Sequence, residues 1–337
     1  MAYICHIISD EAFEMSSDKI QRREFISLTG KAALLAAAFG GGGYLLSRNE
    51  YAPPRLRSLI YDGDRSPQAD STYPDIAAVR SIDHARATAA AIGLIGGIQR
   101  FISKGDIVTI KPNIGWDRTP AQGANTNPIL VKSVALECLE AGARRVIITD
   151  VPCNEARFTF VRSGISGAAK EIGVDLIMPA QRHFVRADLG GEILGEWPVL
   201  RHFLETDKLI NMPVVKHHNL TQATIGMKNW YGVLGGPRNR LHQKVDISIA
   251  DLSSYFRPTL IIVDATRVMV RNGPVGGRLS DVEIRDTVIA STDQVAADSY
   301  ACRFLNLKPE SLGYLDDGAK RGLGKISGYS LVEKDVG

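Results

Sequence analysis

Between Asn211 and His242 the chain reads NMPVVKHHNLTQATIGMKNWYGVLGGPRNRLH, which holds Lys216, His217, His218, Asn219, Lys228, Asn229, Arg238, Arg240 and His242 and no acidic residue. Lysine and arginine donate to phosphate and carboxylate oxygens, and imidazole ligates metal or moves protons. Glycines at 226, 232, 235 and 236 let backbone N–H groups come close to an anion. The stretch is expected to form the wall of an anion-binding pocket. The plainer alternative is a basic surface loop between two elements.

Other polar residues recur just past apolar, strand-like runs. Lys111 and Asn113 follow DIVTI, Asp150 and Cys153 lie at and beyond RVIIT, Lys216 and His217 follow DKLINMP, and Asp264 ends TLIIVD. If these runs are parallel neighbours, the polar groups converge on the carboxyl edge of one sheet, where α/β proteins place their ligands. The roles then divide by chemistry. Lys111, Lys216 and Lys228 would neutralise an anion, Asn113 and Asn229 would orient it, His217 would carry a proton, and Asp264 would act as a base or hold a metal.

Adjacent histidines on a strand point to opposite faces, so one at most of His217 and His218 is expected inside. His217, His218 and His242 with Asp150 or Asp264 would make a nitrogen-and-oxygen metal site, or stand in solvent; metal and cofactor identity stay open. Cys153 is read as a partly buried, inert thiol, with a ligand or nucleophile role as the alternative. DATRVMVRNGPVGG, residues 264–277, is a second candidate wall, with Arg267 and Arg271 facing the anion, or a plain hairpin loop. Nucleotide-binding glycine motifs, the nucleophile elbow and the zinc-protease histidine pair are all absent from the sequence.

The elements that must position these groups follow from pattern and punctuation. Helices are expected over 83–102, 128–141 (opened by Asn127-Pro128), 158–172, 221–234, 245–256 and 293–305. Strands are expected at 59–61, 106–111, 145–150, 175–178, 207–213, 259–264 and 287–291, with a hairpin over 182–197. Residues 106–150 read strand, loop, helix, strand, a parallel crossover unit. The fold class is α/β, with a mixed, mostly parallel sheet and helices on both faces. Residues 51–337 are expected to form a single domain of this kind.

Residues 1–50 read as an address. QRREFI at 21–26 precedes the Ala/Gly-rich apolar run 31–46, which has the form of a twin-arginine export signal and is short for a membrane span. No small-residue cleavage motif follows, so the segment is either removed elsewhere or kept as a membrane anchor. The expected partner is the twin-arginine export machinery and the expected location is the periplasm or the outer face of the cytoplasmic membrane. That route carries folded proteins, often with a cofactor loaded. The net charge of +3 over 337 residues, without a basic stripe interleaved with aromatics, argues against nucleic acid as a partner. The four cysteines, Cys5, Cys138, Cys153 and Cys302, form no CxxC pair, which argues against a locally ligated cluster; Cys138 and Cys302 are expected in the core.

Taken together, IKPNIG (110–115), TNP (126–128), VIITD (146–150), NMPVVKHH (211–218), ATIGMKNWYGVL (223–234), VDATRVMVRNGPVGG (263–277) and TDQVAADSYA (292–301) resemble the domain of unknown function 362 (DUF362) family. Some members of that family carry ferredoxin-like cysteine segments, which this chain lacks. The family is also similar, more remotely, to nickel-pincer lactate racemases, a likeness that implies cofactor or substrate roles for Lys216, His217 and Lys228. The expected function is an exported protein whose cationic pocket takes a small anionic ligand or cofactor, as in a lyase or isomerase. Its rivals are an iron–sulfur or other redox accessory protein of a membrane electron-transfer chain and a non-catalytic solute-binding protein.

Overall fold

The computed structural model describes residues 64–337. The export segment and the strand expected at 59–61 lie outside the described residues. From there the elements run β1 (Ile76–Arg80), α1 (His84–Leu94), β2 (Ile107–Pro112), α2 (Pro128–Glu140), β3 (Arg145–Thr149), α3 (Ala156–Arg162), α4 (Ile165–Ile172) and β4 (Asp175–Ile177). Next come the hairpin β5 (Phe184–Asp188) and β6 (Glu196–Leu200), then β7 (Lys208–Met212), β8 (Val214–His218), β9 (Gln222–Thr224), α5 (Gly226–Asn229) and α6 (Val245–Tyr255). The chain closes with β10 (Leu260–Met269), β11 (Val282–Ser291), α7 (Gln294–Ala301), α8 (Gly313–Lys320) and β12 (Leu331–Asp335).

A ten-stranded sheet, in the order β12-β1-β11-β10-β7-β2-β3-β4 with β8 and β9 continuing beside β10, organises the molecule. β10, β7, β2, β3 and β4 are parallel to one another, and β11 runs against both β10 and β1. The fold is therefore the mixed, mostly parallel α/β class. Two apolar cores cover its faces, and alternate residues of each strand divide between them. On β10, Ile261, Val263 and Ala265 enter one core while Leu260 and Ile262 enter the other. α1 and α2 pack with the second core, and α6 and α7 with the first.

Local chemistry explains the main boundaries. Asn127 accepts from Ile129 N–H and caps α2, with Pro128 at its first position. The helix expected over 158–172 is two helices, because Gly164 takes a left-handed φ of 80° between them. The helix expected over 83–102 ends at Leu94, before a pair of glycines. The largest difference falls on 221–234, expected as one helix. Its first residues instead form β9, which pairs with β8 so that Lys216 faces Thr224. The short α5 follows because the Asp298 carboxylate accepts from Gly226 N–H (2.7 Å) and Met227 N–H (3.0 Å), fixing a helix start there.

β10 also differs from expectation, running five residues past Asp264 to Met269, with an irregularity between Ala265 and Arg267. Among the described residues no helix is long and apolar enough to cross a membrane.

Candidate functional site

The chain steps from β2 to β3 to β4 in one direction across the sheet, then returns so that β7 lies on the other side of β2. Such a reversal leaves a crevice outside the carboxyl ends of the two diverging strands. Lys111 and Pro112 end β2 at that point and Asn113 follows it, Asp150 follows β3, and β7 passes directly into β8 with Lys216. A cavity of about 520 Å³ opens there, walled by Asn113, Asp150, Cys153, Lys216, His218, Lys228, Asn229, Tyr231, Arg238 and His242 among others.

Its floor is a buried hydrogen-bonded relay. Lys111 is fully buried and donates to Asp150 Oδ1 (2.8 Å), Asn229 Oδ1 (3.1 Å) and Pro112 O (3.2 Å). Asp150 also accepts from Ile114 N–H (2.6 Å) and Val151 N–H (2.9 Å), so this charge pair is closed on itself. Asn229 Oδ1 takes a second donor, Asn113 Nδ2, at 2.9 Å, while its own amide N–H donates to Asn211 Oδ1 at 2.8 Å. Asn113 Oδ1 in turn accepts from Lys216 Nζ at 2.9 Å. The lysines at either end fix which way both amides face. Gly232 makes room for the pair, since a Cβ there would lie 2.0 Å from Asp150 Oδ1 and 2.7 Å from Lys111 Nζ.

Above the floor the charges are not closed. Lys216 is 1% exposed and donates only to neutral oxygens, Asn113 Oδ1 and Ala124 O. Lys228 is 5% exposed, sits 3.3 Å from the centroid of the Tyr231 ring and meets His242 Nε2 at 3.4 Å. Arg238 donates to the carbonyls of Val151 (2.7 Å), Tyr231 (3.0 Å) and Pro152 (2.7 Å). Lys216, Lys228 and Arg238 thus bring positive charge to one cavity without an ion-pair partner among the described residues. Burial pulls the Lys216 and Lys228 ammonium groups down to about 7, although Cys153 acts the other way on both and Asp150 does so on Lys216.

The two cavity histidines hold opposite tautomers. His218 Nδ1 accepts from the backbone N–H groups of Leu220 (3.1 Å) and Thr221 (3.3 Å), so its proton is on Nε2. Burial, with Lys228 and His242 nearby, pushes it down to about 3, which keeps the ring neutral. His242 Nδ1 faces Asn239 O at 3.1 Å; a carbonyl only accepts, so Nδ1 carries the proton and Nε2 is the free base beside Lys228. The rings stack with centroids 6.2 Å apart. One neutral imidazole therefore offers a donor and the other an acceptor.

The structure brings together Lys111, Asn113, Lys216, Lys228 and Asn229, all five residues assigned to binding from the sequence. It does not bring His217 or Asp264 to the cavity. On β8 the residues facing the cavity are Lys216 and His218; His217 lies on the alternate side with Val215, so the inward place belongs to His218. Asp264 lies in mid-strand, where it accepts from Asn127 N–H (2.7 Å), Thr266 N–H (2.9 Å) and Thr266 Oγ1–H (2.7 Å) and staples β10 to the start of α2. A carboxylate with those partners is structural.

The histidine and aspartate set considered for a metal is not assembled: among the described residues no group of three or more His, Cys, Asp or Glu side chains is placed to hold one. Cys153, expected partly buried, is exposed at the cavity. Cys138 and Cys302 are buried in the core. Of the second candidate wall only Pro274 lines the cavity; Arg271 instead donates to Ser280 O. Arg238 gained no pocket role from the sequence beyond membership of the basic run, and His218 and His242 gained only that of candidate metal ligands. The signal that could have found them is the strand phase of VVKHH and the closeness of a glycine-rich turn.

Fold and site together define an α/β protein with a cationic cavity at the switch point of its sheet. The model of the family described as a domain of unknown function (DUF362) matches residues 108–303, and the chain belongs to that family. It is 23% identical over 238 residues to the thylakoid-associated protein sll1697 of Synechocystis sp., covering 68% of this chain and 72% of that one. Two solved structures are similar at 12% identity: a protein from Thermotoga maritima, with a TM-score of 0.36, and the lactate racemase apoprotein of Thermoanaerobacterium thermosaccharolyticum, with 0.41. The similarity covers 66% and 75% of this chain, and 58% and 61% of those chains respectively.

Proposed function

We propose that the cavity binds a small organic anion and supports a lyase- or isomerase-type reaction in which a proton moves at a carbon next to a carboxylate. The observation that carries this reading is the pair of buried lysines, Lys216 and Lys228, that face one cavity with no carboxylate in ion-pair contact among the described residues, the nearby Asp150 being already taken by Lys111. Desolvated charges of this kind are expensive to keep unless something binds to them. Lys216 and Arg238 supply charge for the carboxylate, His218 Nε2–H supplies a donor for a second oxygen, and His242 Nε2 is the available base. On the strength of the QRREFI signal we further propose that the protein works after twin-arginine export, in the periplasm or on the outer face of the cytoplasmic membrane.

The test is thermal unfolding of the full chain against a panel of inorganic phosphate, sulfate, pyruvate, lactate and malonate, repeated with Lys216→Met. Specific anion binding raises the melting temperature with a saturable dose dependence that the variant loses. A response to ionic strength alone, equal for every salt and unchanged in Lys216→Met, would remove the basis of the reading. Stabilisation by one anion with no proton exchange at its carbon would point to a solute-binding protein instead.

A further inference from the structure

The two cavity lysines, and Lys111 buried beneath them, are held in three different ways. Lys111 is locked by an aspartate and two further oxygens. Lys216 has its Nζ engaged by Asn113 Oδ1 and Ala124 O. Lys228 has no oxygen partner at all among the described residues: its nitrogen rests against the Tyr231 ring and the unprotonated Nε2 of His242. A buried amine beside a base, opening on a cavity with two other uncompensated cations, has the arrangement of a nucleophile rather than of an anchor.

We propose that Lys228 forms an imine with the carbonyl of a 2-oxo acid whose carboxylate is held by Lys216 and Arg238. The proposal rests on the anion-site reading and assigns its substrate class. The Nζ lone pair attacks the carbonyl carbon, the C–N bond forms, and the C=O π pair moves to the oxygen, which His218 Nε2–H holds by a hydrogen bond. An Nζ proton passes to His242 Nε2 and from there to that oxygen, giving a carbinolamine. The second Nζ proton follows as the hydroxyl leaves as water and the nitrogen pair closes the C=N bond. Amine and ketone thus become imine and water, with no oxidant or reductant needed. Burial, helped by the Arg238 and Lys216 charges, brings the Lys228 ammonium to about 7, so much of the amine is unprotonated at neutral pH.

The experiment is trapping of the full chain with pyruvate and cyanoborohydride near neutral pH, followed by intact mass and peptide mapping. The expected result is one reduced pyruvyl adduct per chain, on Lys228, formed before the surface lysines react. It is absent in Lys228→Arg and at least about tenfold slower to form in His242→Gln, in line with the loss of a positioned base. Slow adducts scattered over surface lysines, with Lys228 unmodified, overturn the imine. If pyruvate still raises the melting temperature in that case, the anion-site reading survives; if neither adduct nor stabilisation is found, both fall.

Discussion

At the scale of single residues, the site separates charges that hold the fold from charges that wait for a ligand. Lys111 and Asp150 are each other's partner inside the protein, and removing one strands the other. Asp150→Ala is expected to lose about 3–5 kcal/mol of stability, read by urea denaturation. Lys216 behaves in the opposite sense. Lys216→Met deletes a buried charge with only neutral partners, so the ligand-free protein should be as stable or more stable by about 1 kcal/mol. Anion affinity should fall about 10- to 100-fold, the worth of a charge-assisted hydrogen bond.

The same lysines set a pH dependence whose sign can be worked out. Lys216 and Lys228 lose their protons at about 7 in the folded chain, against an ordinary value of 10.5. Between those values the unfolded chain binds more protons than the native one, so their share of stability rises with pH across that window. A Lys216→Met/Lys228→Met variant should show a flatter stability profile from pH 7 to about 10. An unchanged slope would mean that the two groups titrate as in solvent.

At the scale of elements, precision comes from the short α5 and the turn after it. Gly232 lies so close to the Lys111–Asp150 pair that Gly232→Ala must push Asp150 away; a loss of about 2–4 kcal/mol in chemical denaturation is expected. Retention of wild-type stability would show that the turn can move aside. These elements were also the least legible in the sequence. The strands around 106–111, 145–150 and 207–213 and the helix from Pro128 could be read because apolar runs are bounded by caps and prolines. The split of 221–234 could not, because it depends on Asp298, some seventy residues away, reaching the amides of Gly226 and Met227. His218, by contrast, was within reach of the sequence: once Lys216 is placed in the pocket, strand alternation puts His218 and not His217 on the same face. Asp264 looked like a strand end because the apolar run of TLIIVD is broken there by Asp264, Thr266 and Arg267, although the strand continues through ATRVM.

At the scale of the whole molecule, the topology gathers residues that the sequence keeps far apart. Lys111, Asp150, Lys216 and Lys228 meet because the chain reverses its direction across the sheet between β2 and β7. That the polar groups past several strands share one edge was legible from the sequence. Which of them would be neutralised by neighbours, and which left open, required the packed structure. The result is a cavity whose charge depends on pH near neutrality and should respond to an anion by taking up protons.

That response is the most direct test of the account. Isothermal titration calorimetry of the full chain with pyruvate at pH 8, in two buffers of different ionisation enthalpy, reads proton uptake as the difference in heat. Binding should draw up to about one proton per site, because an anion restores the lysine charge that burial suppresses. The uptake should vanish in the Lys216→Met variant. Binding with no buffer dependence, or uptake that persists in that variant, would contradict the claim that Lys216 is the anion's counter-charge.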